Sequence, residues 1–251
     1  MSESIERSIV IRARVATVWR FFSDSEWFAR WWGEGSMIEA KVGAAVKIRY
    51  PGGSTVSGEV LAVEAPHAIV FSYGYDDPSK PLRPGESTVH VSLREHPLGT
   101  LVELRHELQS RELADMHVPG WRYQLSVFAK VVHAQQHEGR EAIVDAWFQA
   151  WNASEAEARS DALERAVVDD VAFADDFAYL RGRDELLGQL AAVAMHMPGV
   201  ALARVGKLRY AQGTALCEFA ARRGEQVVMS GTNVFEFAAD GRIARVTGIS
   251  S

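Results

Sequence analysis

The two halves of this sequence carry different orders of helices and strands, and the order changes near residues 137–140. The first half begins with a strand, a helix and an aromatic run, continues with five strand-like segments and ends in a long helix. The second half places three helices before four strands. Domains cluster at about 100 to 150 residues. A chain of 251 residues with two such patterns therefore predicts two α+β domains, at residues 1–137 and 138–251.

In the first half, alternation of apolar and polar residues in period two marks the strands, and proline and glycine mark the turns between them. After an opening strand, the predicted strands are 44–50, 57–63, 68–73, 88–94 and 100–107. The closing helix is predicted at 118–137, because apolar residues recur there at steps of three and four.

The second half has the opposite arrangement. Helical patterns are predicted at 141–151, 159–168 and 184–195, and strands follow at 200–210, 214–222, 226–237 and 242–249. An Asp-Gly pair at positions 240 and 241 predicts the turn between the last two strands.

Charge and composition argue against several classes of function. The chain has 33 acidic against 27 basic residues, without the clustered positive charge that binding to nucleic acid requires. Its single cysteine, Cys217, allows no internal disulfide and no cysteine-based zinc site. No signal peptide, membrane span, phosphate loop or dinucleotide fingerprint is evident. We therefore expect a cytoplasmic protein with no cofactor, no metal site, no nucleic-acid partner and no membrane partner.

The first half resembles the START-like (SRPBCC) superfamily, and within it the bacterial group named for its likeness to the activator of the Hsp90 ATPase (AHSA1-like). The resemblance spans nearly all of residues 1–135. The residues that carry it are Val18-Trp19, Asp24-Ser25-Glu26, Ala29-Arg30-Trp31-Trp32-Gly33, Gly58 to Pro66, Ile69 to Tyr73, Ser87 to Val91 and Gly120-Trp121.

This resemblance implies a helix-grip fold, in which a curved antiparallel sheet wraps around a long C-terminal helix and leaves an apolar cavity. Relatives in the superfamily include polyketide cyclase-like proteins and lipid binders. The residues expected to bind a ligand there are Trp31, Trp32, Tyr73 and Trp121, although tryptophans in a cluster fill a core as readily as they line a cavity.

The second half is similar to the NTF2-like superfamily, the α+β cone that includes the SnoaL-like cyclases and ketosteroid isomerase. The similarity covers about residues 139–250. It is carried by Trp147 to Ser154, Val171 to Asp176, Leu180 to Leu186 and the strands around Asp240-Gly241.

By motif, the isomerase resemblance implies Asp175 as general base, Asn233 as a hydrogen-bond donor and Trp147 at the position of a donor tyrosine. Such a site moves a proton next to a carbonyl and holds the developing oxyanion. An indole and an amide are weaker acids than a phenol or a carboxylic acid, which argues against steroid isomerisation. Asp175 also fits a solvated turn, and Asn233 an ordinary strand residue.

The leading hypothesis is that the chain binds a hydrophobic small molecule in START-like and NTF2-like cavities. An enzymatic version adds cofactor-independent cyclase or isomerase activity, with Asp175 and Asn233 as catalytic residues. The alternative is a dimerising interaction protein or stress-related accessory protein without catalysis, because apolar residues on both faces of the closing strands fit a homodimer.

Overall fold

The chain has two compact units in a computed structural model that describes residues 3–251. The units are Met1–Gln135 and Gln136–Ser251. Each unit has its own cluster of buried apolar side chains. In the part of the chain that the structure describes, no helix is both long enough and apolar enough to cross a lipid bilayer.

The N-terminal unit is a six-stranded antiparallel sheet with three helices, and its strand order is β1-β6-β5-β4-β3-β2. The elements are β1 (Glu3–Ile11), α1 (Val15–Ser23), α2 (Ser25–Trp32), β2 (Ala45–Arg49), β3 (Thr55–Glu64), β4 (Ala68–Tyr73), β5 (Ser87–His96), β6 (Gly99–Leu108) and α3 (Arg111–Gln136).

Alternate residues of these strands are buried, and they form one core with the buried face of α3. At Gly58 in β3, a Cβ atom would lie 1.8 Å from the carbonyl oxygen of Ser72. Any side chain there would collide with the β4 backbone, so close approach of the two strands requires glycine at this position.

Helix α3 begins at Arg111, seven residues before the predicted start at 118, and the prediction of its start is therefore wrong. The sequence places Pro119 where proline is common, in the first turn of a helix. In the structure Pro119 lies inside the helix, where it removes one backbone hydrogen bond without ending the element.

The C-terminal unit has three helices and a six-stranded mixed sheet with the order β8-β7-β12-β11-β10-β9. Its elements are α4 (Arg140–Asn152), α5 (Ala156–Ala166), β7 (Val167–Ala174), β8 (Tyr179–Arg181), α6 (Arg183–His196), β9 (Val200–Ala211), β10 (Thr214–Arg223), β11 (Gln226–Phe237) and β12 (Ile243–Ser250). The predicted helix at 159–168 starts three residues too late and ends two residues too late, the latter because the β-branched Val167 and Val168 start β7.

Strand β12 pairs with β7 in parallel and with β11 antiparallel, and this arrangement positions the polar residues of the unit. Thr247 of β12 lies beside Ala174, the last residue of β7. The next residue, Gly248, lies opposite Asn233 of β11. The end of β7, where Asp175 follows, therefore comes close to the middle of β11.

Candidate functional site

A cavity of about 410 Å³ lies in the C-terminal unit, and apolar side chains from helices and strands form most of its wall. Cavities of this size accommodate small organic ligands. The apolar side chains on its wall are those of Trp147, Trp151, Phe173, Phe177, Val193, Met197, Val200, Leu202, Phe219, Ala221, Val228 and Met229. The polar residues are Asn152, Asp175, Gln189, Asn233 and Ser250.

Asp175 lies on this wall in a turn that its own side chain stabilises. Its Oδ1 accepts hydrogen bonds from the backbone N–H groups of Phe177, at 2.8 Å, and Ala178, at 2.7 Å. Such a turn is typical of aspartate. The turn fixes the orientation of the carboxylate and leaves Oδ2 without a hydrogen bond from residues 3–251. Asp175 is therefore a turn residue that also lies on the cavity wall.

Asn233 is a buried polar residue on the same wall, and only 5% of its surface is exposed. Its side-chain amide makes no hydrogen bond within residues 3–251. An amide that is withdrawn from bulk water without a partner costs free energy, and it gains when a ligand supplies that partner.

Gly248 separates Asn233 from Asp175. A Cβ atom on Gly248 would lie 3.2 Å from Oδ1 of Asn233 and 3.4 Å from Cβ of Asp175. The amide oxygen of Asn233 and the Cβ atom of Asp175 therefore border one position on the cavity wall, which is open because residue 248 has no side chain.

Two tryptophans of α4 form the aromatic part of the wall. The ring centroids of Trp147 and Trp151 are 5.7 Å apart, and they lie 5.8 Å and 5.9 Å from that of Phe173. Neither indole Nε1 has an acceptor in the described part of the chain, and both are shielded from water. Neighbouring Asn152 is different, because its amide already bonds the backbone N–H and carbonyl of Leu202.

A second cavity, of about 440 Å³, lies in the N-terminal unit beside α3. Of the ligand-binding residues predicted there, Trp32, Tyr73 and Trp121 lie on its wall. Trp31 does not, because it packs in the core, where its Nε1 donates to the carbonyl oxygen of Phe21. Adjacent residues of a helix point in different directions, but the sequence alone does not show which of the two tryptophans points towards the cavity.

Three tyrosine hydroxyl groups are joined on this wall. The Tyr73 hydroxyl lies 2.9 Å from that of Tyr50, and it donates to the hydroxyl of Tyr75 at 3.4 Å. Burial raises the pKa values of Tyr50 and Tyr73 well above the ordinary value for tyrosine. These phenols therefore stay protonated at neutral pH and present neutral hydroxyl groups to the cavity.

A buried hydrogen-bond chain behind this wall fixes the protonation of His106. The Trp121 Nε1–H donates to His106 Nδ1 at 3.0 Å, so the ring proton is on Nε2 and is donated to the Ser87 hydroxyl, 2.8 Å away. The Ser87 hydroxyl in turn donates to the carbonyl oxygen of Tyr73. Ser87 and His106 therefore cannot act as nucleophile and base, because His106 has no free nitrogen that could take the serine proton.

His106 lies in β6 without a recognisable motif around it, so no local pattern indicates this hydrogen-bond chain or a role for the imidazole. Burial, together with the smaller electrostatic effect of nearby His117, lowers the pKa of His106 to about 3. The imidazole is thus a neutral structural group.

Comparisons with known proteins agree with the two patterns. Residues 12–133 match the family model "Activator of Hsp90 ATPase homolog 1-like protein", and residues 144–246 match the model "SnoaL-like domain". An AHSA1-like domain precedes a SnoaL-like domain. The START-like and NTF2-like assignments, and with them the α+β fold class, are therefore confirmed. No curated protein matches the chain.

The solved structures that resemble this chain each cover about half of it. An Agrobacterium tumefaciens protein of the SnoaL-like family, provisionally described as an isomerase, is 20% identical over 47% of this chain and 98% of its own, with a TM-score of 0.43. The Aha1 dimer from Colwellia psychrerythraea is 17% identical over 49% and 90%, with a TM-score of 0.41. The AHSA1 protein from Silicibacter pomeroyi is 22% identical over 50% and 94%, with a TM-score of 0.42.

The lowered pKa of His106 predicts a stability loss in weak acid. The unfolded chain takes up a proton below pH 6.5, whereas the folded chain does so only near pH 3. The stabilisation is complete above pH 6.5 and decreases as the pH falls towards 3. Between pH 8 and pH 5 the loss is about 2 kcal/mol for this one group.

Urea unfolding of the wild type and of His106→Asn at both pH values measures this loss, which is expected in the wild type alone. In histidine NMR spectra, His106 should remain the neutral Nε2–H form at pH 5. A His106 signal that titrates near pH 6.5 would contradict the assignment.

Proposed function

We propose that the SnoaL-like domain binds a hydrophobic small molecule in its cavity, with the polar group of that molecule held at Asn233. The supporting observation is the buried Asn233 amide on the wall of an otherwise largely apolar cavity, without a partner in residues 3–251. Burial of the apolar body drives binding, and the amide orients the ligand. The AHSA1-like cavity, with Trp32, Tyr73 and Trp121 on its wall, is the second binding site in this proposal.

We also propose that the protein is cytoplasmic. Its single cysteine can form no internal disulfide, so folding does not require an oxidising compartment.

Replacement of Asn233 by leucine should remove the preference for a polar group while it keeps the size of the side chain. Wild-type protein is expected to bind 2-naphthylmethanol about 3- to 10-fold more tightly than 2-methylnaphthalene, because one hydrogen bond to a partly desolvated amide is worth about 1 kcal/mol. In Asn233→Leu the two affinities should be equal, as measured by fluorescence titration.

Thr232→Val is the matched control, because Thr232 lies next to Asn233 on β11 but not on the wall of this cavity. This variant should keep the wild-type preference. Equal binding of the two compounds by the wild type would contradict the role of Asn233.

A second candidate function is proton transfer next to a carbonyl group, with Asp175 as base and Asn233 and Trp147 as donors. It is supported by the shared position of Asp175 and Asn233 on either side of Gly248. A base and an oxyanion donor that face one place are what a cofactor-independent isomerase or cyclase of polyketide-like carbonyl compounds requires.

Replacement of Asp175 by asparagine tests this candidate. Asparagine can keep the two turn hydrogen bonds through its Oδ1, so the fold should persist while the base is lost. Exchange of the α-protons of 2-tetralone in D₂O, followed by NMR, should be about 100-fold slower in Asp175→Asn than in the wild type. Asp176→Asn, at an exposed neighbour outside the cavity, should leave the rate unchanged. An unchanged rate in Asp175→Asn would exclude Asp175 as the base.

Self-association is a separate proposal, supported by exposed apolar side chains on the sheet of the SnoaL-like domain. Val205, Val227 and Ile249 are 41%, 44% and 57% exposed on strands β9, β11 and β12. A homodimer would cover them and gain the free energy of their burial. Light scattering should give twice the chain mass of 27.7 kDa. A monomer mass at micromolar concentration would contradict this proposal.

A further inference from the structure

The charges on the wall of the SnoaL-like cavity restrict the ligand that it can take. Asp175 is the one charged residue on that wall among the residues that the structure describes, and no lysine, arginine or histidine joins it. A carboxylate beside apolar surface is poorly solvated unless a positive charge or several hydrogen-bond donors accompany it. The protein supplies two backbone N–H groups to Oδ1 and leaves Oδ2 free.

The aromatic residues of the same wall also favour a cation. The rings of Trp147, Trp151 and Phe173 lie within 6 Å of one another by their centroids, and the rings of Phe177 and Phe219 lie on the same wall. The faces of aromatic rings attract a positive charge, most strongly when water is excluded. Phe177 is also tied to the carboxylate, because its backbone N–H donates to Asp175.

The amide oxygen of Asn233 is the third feature of the wall that favours a cation. The atom of its amide that lies nearest to the open position at Gly248 is Oδ1, an acceptor. Asp175 borders the same position. A protonated amine carries N–H donors and one positive charge, so it can bond the amide oxygen of Asn233 and the free carboxylate oxygen of Asp175 together.

We propose that the ligand of the SnoaL-like cavity is an organic ammonium ion, an apolar compound that carries a protonated amine. The amine lies between Asp175 and Asn233, and the apolar body lies against the aromatic wall. This inference rests on the proposed binding function and adds the chemical class of the ligand. In this role Asp175 is the counter-ion of the ligand, and its Oδ2 is occupied by the ligand instead of acting as a base.

Three compounds of nearly the same size test the charge preference at pH 7 in the full chain. They are 2-naphthylmethylamine, which is protonated, 2-naphthylmethanol, which is neutral, and 2-naphthoate, which is an anion. Titration calorimetry should give about tenfold tighter binding for the amine than for the alcohol, and the weakest binding for the anion.

Two variants assign the preference to Asp175. In Asp175→Asn the amine and the alcohol should bind within about twofold of each other, while the affinity for the alcohol changes little, because the carboxylate charge alone is lost. Asp176→Asn should behave as the wild type, since this neighbouring carboxylate lies outside the cavity wall. Because Asp175 belongs to the C-terminal unit, loss of the preference in that variant places the ammonium ion there rather than in the AHSA1-like cavity.

Other outcomes would overturn the inference. Equal affinities for the amine and the alcohol in the wild type, tightest binding of 2-naphthoate, or a preference that survives in Asp175→Asn would each exclude an ammonium ligand at Asp175. If the alcohol still binds in those cases, the proposed binding function stands and the ligand class alone is wrong. If none of the three compounds binds, the proposed binding function fails as well.

Discussion

Parallel pairing of β12 with β7 is the constraint on which the SnoaL-like cavity depends. The remaining strand pairs of that sheet are antiparallel. This one parallel pair joins β7, which follows α4 and α5, to β12, the last strand of the chain. It brings the end of β7 beside β12, and β12 brings Gly248 opposite Asn233. Asp175 and Asn233, 58 positions apart in the sequence, thereby border one position.

Both domains place polar groups without partners on a cavity wall. In the AHSA1-like domain, Trp121, His106 and Ser87 form a chain that ends on a backbone carbonyl, and each member has a partner. Such a chain rigidifies the wall, but the buried Nε1 of Trp32 and Nε2 of His117 on the same wall have no partner among residues 3–251. The walls differ in charge, because the SnoaL-like cavity has the carboxylate of Asp175 and the AHSA1-like cavity has the ammonium group of Lys80.

Periodicity and turn residues predicted the α+β fold class correctly, since period two and period 3.6 are local signals that a sheet or a helix surface imposes directly. Helix boundaries were less accurate. The apolar period of α3 is clear only from residue 118, whereas the helix starts at Arg111 and includes Pro119, because proline inside a long helix costs one hydrogen bond that tertiary packing can offset. Likewise, periodicity did not resolve β7, a strand that depends on its pairing with β12 and β8.

A family motif could bring distant residues together in the sequence analysis, but it could not foresee positions that the fold alone decides. Asp175, Asn233 and Trp147, which the motif resemblance groups, lie on one cavity wall, and their roles stay predictions. Trp31 and Trp32 are adjacent and chemically identical, yet one fills the core and the other borders a cavity. Gly248 has no side chain to suggest a role, and the hydrogen-bond chain through His106 joins residues from two strands and a helix. Long-range contacts of this kind leave no local pattern in a sequence.

The missing side chain at Gly248 has a consequence for how this cavity can change. The space between the Asn233 amide oxygen and the Cβ atom of Asp175 is bordered by one backbone position whose φ angle does not require glycine. Substitution to alanine would fill part of that space with a methyl group 3.2 Å from Oδ1 of Asn233, so the amide would have to move by a few tenths of an ångström. The size of this part of the cavity and the placement of its amide are thus coupled through residue 248, and a change there alters both together.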